Sequence, residues 1–181
     1  MEYAPAAGKA ILVLLQLLTI GAALQDGWRL RISNLFPIAI VACFLGWVAV
    51  IGPEFDLWQN LVAFLLCLAV GLFLFSRNWL GGGDVKLLAA LALWFDFGGA
   101  GQFLVFTMLG GGLVALALIA FRRLVPALAG TGVAAFRRRG PIPYGLAIAV
   151  GALLAIHLHG VNPNALSRVQ QLQLQPFHLP G

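Results

Sequence analysis

Charge is what this sequence has least of. Only 9% of its 181 residues are Asp, Glu, Lys or Arg, against about 25% in a soluble domain. That is too little to coat a globule, so a soluble fold is excluded. With 61% hydrophobic residues, the chain reads as an all-α, polytopic membrane protein. Its length allows one membrane-embedded domain over residues 1–181 and no separate soluble domain. Cysteine is almost absent: Cys43 and Cys67 fall inside apolar runs with no metal-ligand spacing, and read as small buried hydrophobes. His157, His159 and His178 lack a Glu or Cys partner at ligand spacing and read as solvated or interfacial, so neither metal nor cofactor is expected. The net charge of +5 would suit an anionic partner, but in a membrane chain arginines that set orientation account for it. No nucleic-acid partner is expected.

What the sequence has in quantity is apolar length. Six runs read as spans: Gly8–Leu24, Phe36–Ile51, Leu57–Phe75, Trp79–Phe97, Gln102–Phe121 and Ile142–Ile156. A cleaved signal peptide is rejected for the first, because its apolar stretch is long and cleavage would export Asp26 with Arg29 and Arg31 behind it. Asp26 to Asn34 reads as a polar loop, Trp58 as an interface anchor and Gly110–Gly112 as a site of close helix contact or of a local kink. The fourth run needs care. Val85 to Phe95 alone makes about 17 Å of helix, too short for a hydrocarbon core of about 30 Å. Taken from Trp79 to Phe97 it reaches about 28 Å, which places Asp84 about 7 Å inside the polar end.

Orientation follows from the basic residues. The first, third and fifth loops hold Arg29, Arg31, Arg77, Lys86, Arg122, Arg123, Arg137, Arg138 and Arg139, whereas the other side holds only Lys9 and Arg168. This bias puts both termini outside and the odd loops in the cytoplasm. Asp26 and Asp84 then share the cytoplasmic side, and Glu54, Asp56 and Asp96 lie opposite. The arginine-rich stretch 122–141 reads as an orientation signal and a contact for anionic lipid.

A carboxylate within the membrane costs about 2.5–3.5 kcal/mol at a helix centre and by default marks a function. Gly81-Gly82-Gly83 beside Asp84 leaves room for a second backbone to approach. Two neighbouring carboxylates do not both ionise readily, so one proton is shared: one member accepts a proton from attacking water, the other donates to a carbonyl oxygen. The plainer reading makes Asp26-Gly27 a turn and Asp84 a helix cap. Lys86, two residues along a helix from Asp84, points away from it and reads as reaching for headgroups.

Gly81-Gly82-Gly83-Asp84-Val85-Lys86 resembles the Gly-x-Gly-Asp-x-Lys motif of the type IV prepilin peptidases, a family of membrane aspartic proteases. Asp26 to Leu35, ending Arg31-Ile32-Ser33-Asn34-Leu35, is similar to the family's first-aspartate loop, with Ser33 where proline is usual. Pro143-Tyr144-Gly145 is similar to its Pro-Tyr/Phe-Gly segment. The resemblance implies Asp26 and Asp84 as the catalytic pair, with Gly81, Gly83, Lys86 and Asn34 binding substrate or shaping the site. It implies prepilin or pseudopilin substrates, cut at the cytoplasmic face to release a basic leader while the apolar stem stays in the lipid. The chain has no room for the methyltransferase domain of larger members and lacks their four zinc-binding cysteines. It looks like the small form associated with tight-adherence pili; archaeal preflagellin peptidases are related. Presenilin-type proteases also use Gly-x-Gly-Asp, but they place both aspartates inside adjacent spans. The reading from another class is a small transporter or assembly scaffold with Asp84 as a proton or ion site, in which Asp26 hardly matters.

Overall fold

Apolar sequence surrounded by lipid must satisfy its own backbone hydrogen bonds, and a helix does so within one segment. The computed structural model describes residues 3–51, 57–124 and 143–161. Among the described residues all regular structure is helical: α1 Tyr3–Arg29, α2 Leu35–Ile51, α3 Leu57–Ser76, α4 Gly82–Ala92, α5 Phe97–Leu124 and α6 Tyr144–Leu158. Three of these are long and apolar enough to cross a membrane: α1 from Ala6, α3 and α5. Their outward faces carry Leu65, Leu66 and Val70 on α3 and Met108, Leu109 and Leu113 on α5, a surface that suits lipid. The shorter α2 and α6 are also apolar throughout.

The short helix α4 is the centre of the bundle, packed by α2, α3 and α6. Every residue from Leu87 to Phe95 except Leu88 is buried. Gly71 of α3 lets Val85 in so closely that an added Cβ would stand 2.7 Å from its Cγ1. At the far end Trp94 is fully buried, 5.5 Å from Phe44 edge-on and 6.0 Å from Trp47, and its indole N–H donates to Ile40 O at 3.3 Å.

Here the expected 28 Å span is corrected. The helix stops at Ala92, 11 residues long, or about 17 Å. Hydropathy did not show the stop, because Leu93-Trp94-Phe95 is as apolar as the helix before it. The chain tightens there: Trp94 N–H donates to Leu91 O and Phe95 N–H to Ala92 O, each at 3.1 Å and three residues back. Two polar side chains make the turn tolerable. Asn60 of α3 donates to Leu93 O at 3.0 Å. Asp96 caps α5, its Oδ1 accepting the Gly99 N–H at 2.7 Å. The fifth helix therefore begins at Phe97, five residues ahead of the expected Gln102.

His159 is also corrected. Its Nε2 lies 3.1 Å from Asp96 Oδ1, and its ring lies over Gly98 and Gly99, clasping the end of α6 to the start of α5. His157 is exposed as expected, while His178, Glu54, Asp56 and Arg137–Arg139 lie outside the described residues. Asn60→Ala orphans the Leu93 carbonyl and is expected to destabilise the protein by about 1–3 kcal/mol, read as a lower midpoint of thermal unfolding in detergent.

Candidate functional site

The end of the bundle opposite Asp96 brings together the C-terminus of α1 and the N-termini of α4 and α6. Asp26 was expected in a loop. Instead α1 continues through Asp-Gly-Trp-Arg, so Asp26 stands on its last turn and is only 5% exposed. The stop is Leu30, held at φ +52°, a left-handed conformation that costs a non-glycine residue roughly 1–2 kcal/mol. Its N–H still bonds to Asp26 O at 2.8 Å. Asp26 Oδ2 accepts the main-chain N–H of Gly145, in the first turn of α6, at 2.7 Å.

Asp84 stands in the first turn of α4, three residues after the N-cap Gly81. Its carboxylate folds back toward the Gly81 backbone, the direction taken by the third helical residue of a capping box. A Cβ at Gly81 would lie 2.7 Å from Asp84 Oδ2; glycine is needed there for room. At Gly83 a Cβ would meet the Ile32 carbonyl oxygen at 3.3 Å and its nitrogen at 3.5 Å. The sequence left room for a second backbone, and that backbone is the 31–33 segment.

This segment runs between the two helix starts. Ser33 N–H donates to Gln25 Oε1 at 2.6 Å, and Ile32 touches the space over both Gly83 and Gly145. Asp26, Leu30, Arg31, Ile32, Gly81–Gly83 and Asp84 together line a cavity of about 240 Å³. Across it Asp26 and Asp84 are close enough for the charge of one to act on the other. Asn34 and Lys86 do not line it. They form a pair of their own, Lys86 Nζ donating to Asn34 Oδ1 at 2.9 Å, at the mouth of a neighbouring cavity of about 430 Å³. Its other walls, Pro37, Ile38, Val41, Phe64, Leu68, Ala89 and Ala90, are apolar. Lys86 is bonded within the protein, to Asn34, where a reach to headgroups was expected.

The residue that sequence reasoning left out of the site is Gly145. Its signal was present in Pro143-Tyr144-Gly145, but a glycine that meets Asp26 only through its N–H shows no side chain to read.

Fold and site together define a helical membrane protein with two carboxylates gathered on one cavity at one end of its bundle. The chain belongs to the type IV leader peptidase family, whose sequence profile matches residues 12–121. The match runs from α1 into α5 and ends before α6. No curated protein and no solved structure matches the chain.

Proposed function

We propose that this protein is an aspartic endopeptidase that removes the N-terminal leader of type IV prepilins or pseudopilins. Asp26 and Asp84 are the working pair. One carboxylate takes a proton from a water molecule as its oxygen attacks the scissile carbonyl carbon, and the protonated partner donates to the carbonyl oxygen. The tetrahedral intermediate then collapses: the carboxyl now protonated gives its proton to the leaving amine, the C–N bond breaks, and a hydroxyl of the diol returns a proton to the other carboxylate, so the pair again holds one shared proton. The reading requires neither metal nor cofactor. Gly81 and Gly83 shape the cavity, and Lys86 with Asn34 borders the path of the substrate. The observation that carries the reading is the shared cavity: two aspartates 58 positions apart in the chain face one space of about 240 Å³, in a chain of the leader peptidase family.

Six spans, both termini outside, and a site at the cytoplasmic face of the inner membrane complete the proposal. The basic bias of the odd loops supports this orientation. So does the placement of Asp96 and His159 at the opposite end from Asp26. Peptidase activity without methyltransferase activity is expected.

The test is co-expression with a candidate prepilin from the same genome, with the pilin's mass measured in membranes. Wild type should yield the shortened pilin. Asp26→Asn and Asp84→Asn, at equal abundance, should leave it full length. Cleavage persisting in both variants would sink the aspartate-pair mechanism and return the chain to the transporter or scaffold reading.

A further inference from the structure

We propose that Gly145 is a positioning residue of this site, its main-chain N–H holding the Asp26 carboxylate in place for proton transfer; this rests on the peptidase reading above. Four observations lead to it. First, the N–H groups of a helix's opening turn have no acceptor within their own helix. Gly145 is the second residue of α6, and the N-cap residue, Pro143, offers no side-chain oxygen. Asp26 is what satisfies this donor, reaching from another helix 119 positions earlier in the chain.

Second, the bond is sheltered. Gly145 is buried and Asp26 is 5% exposed, so water does not readily replace it. A hydrogen bond to a charged group in such a place is shorter and about twice as strong as a neutral one. The α6 N-terminus also carries the positive end of the helix dipole, which favours a carboxylate there.

Third, nothing larger than glycine fits. A Cβ at position 145 would lie 2.9 Å from Asp26 Oδ2, 2.9 Å from Asp26 Cβ and 2.8 Å from Ile32 Cδ1. The close approach is to the carboxylate itself. Fourth, α6 is fixed along its length: it packs on α1, α4 and α5, and the His159–Asp96 contact holds its far end. A rigid helix with its N-terminus on Asp26 Oδ2 settles where Oδ1 stands, and Oδ1 is the oxygen left to accept a proton from water.

The direct experiment replaces residue 145 by glycolic acid in the full chain, turning the Tyr144–Gly145 amide into an ester. Because this N–H has no partner within α6, the change removes the bond to Asp26 and no other. Purified in detergent and assayed on the prepilin that wild type cleaves, the ester variant is expected to lose about tenfold or more in kcat, with KM within about twofold. Gly145→Ala should show the same split. Adding Ile32→Val, which removes the Cδ1 contact, should not restore it, because the new methyl still presses on Asp26 Oδ2.

An ester variant that cleaves like wild type overturns the inference and leaves the peptidase reading standing. Rescue of Gly145→Ala by Ile32→Val also overturns it, since the defect would then be packing against Ile32. If Asp26→Asn cleaves like wild type, the peptidase reading itself falls, and the role of Gly145 with it.

Discussion

Asp26→Asn and Asp84→Asn are each expected to lower kcat for leader removal by about 10³-fold, and the double variant by scarcely more. The single losses follow from the proposed chemistry. A positioned acid or base contributes about 10²–10⁴-fold, and an asparagine neither takes the water's proton nor supplies one to the carbonyl oxygen. The missing additivity follows from sharing one proton across one cavity. Once either carboxylate is gone the pair no longer exists, and groups that act as a unit lose their effect together.

Asparagine is chosen because it keeps the shape. At position 26 the amide oxygen can still accept the Gly145 N–H, and at position 84 asparagine keeps the size and outline of aspartate beside Gly81. Loss of folding is therefore not the expected cause, and unchanged thermal midpoints check this. Single-turnover cleavage at saturating enzyme isolates the chemical step. Losses that multiply in the double variant would mean two independent roles. A silent Asp26→Asn beside a dead Asp84→Asn would mean a site built on one carboxylate, as an ion pathway would be.

Much of the architecture is legible because hydropathy reports helix location well. The runs read for α2 and α3 match the helices to within one residue at each end. The basic bias also separates Asp26 and Asp84 from Asp96, and they do lie at opposite ends of the bundle. Where sequence reasoning fails, the deciding interaction comes from another helix or from a backbone angle. Asp26-Gly27 is an ordinary turn signal, yet α1 passes through it because the helix is kept to Arg29 and released by a leucine at positive φ. No propensity scale nominates leucine for that conformation.

The length of α4 fails for the complementary reason. Its stop is specified by Asn60, 33 residues earlier, and by Asp96 capping the next helix, while the residues that actually turn are Leu, Trp and Phe. The site was readable as far as its side chains went: Asp26, Asp84 and the glycines that make room. It was not readable in Gly145, where the contribution is a main-chain N–H, nor in the pairing of Lys86 with Asn34 across 52 residues.

The grip of α5 on α6 leads to the second large effect, because α6 carries the N–H that holds Asp26. Gly151→Leu is expected to destabilise the protein by about 3 kcal/mol and to depress leader removal with it. At this level the helices touch almost backbone to backbone. A Cβ on Gly151 would lie 2.6 Å from Thr107 N and 2.7 Å from Thr107 Cα, and would run into its hydroxyl. That hydroxyl is buried without a hydrogen-bond partner, which marks how completely α6 fills the space. Small residues at such crossings let dispersion forces act at close range in a membrane, where the hydrophobic effect does not drive helices together. The same seam continues at Gly110, where an added Cβ would stand 3.1 Å from Val150 Cγ1, and at Gly111, where it would stand 3.2 Å from Ala147 Cβ.

Gly112, next in the chain, has nothing within 4 Å of its Cβ position, so the sequence Gly110-Gly111-Gly112 holds two packing glycines and one free one. Gly112→Leu is therefore the control. It removes a helix-weakening glycine, gains up to about 1 kcal/mol of helix propensity, and should leave cleavage at the wild-type rate. Thermal unfolding in detergent should separate the two, with Gly151→Leu lower by about 5 °C or more and Gly112→Leu unchanged or higher. Equal losses at both positions would mean that leucine is resisted throughout this stretch, and the seam would then not be what fixes α6 over Asp26.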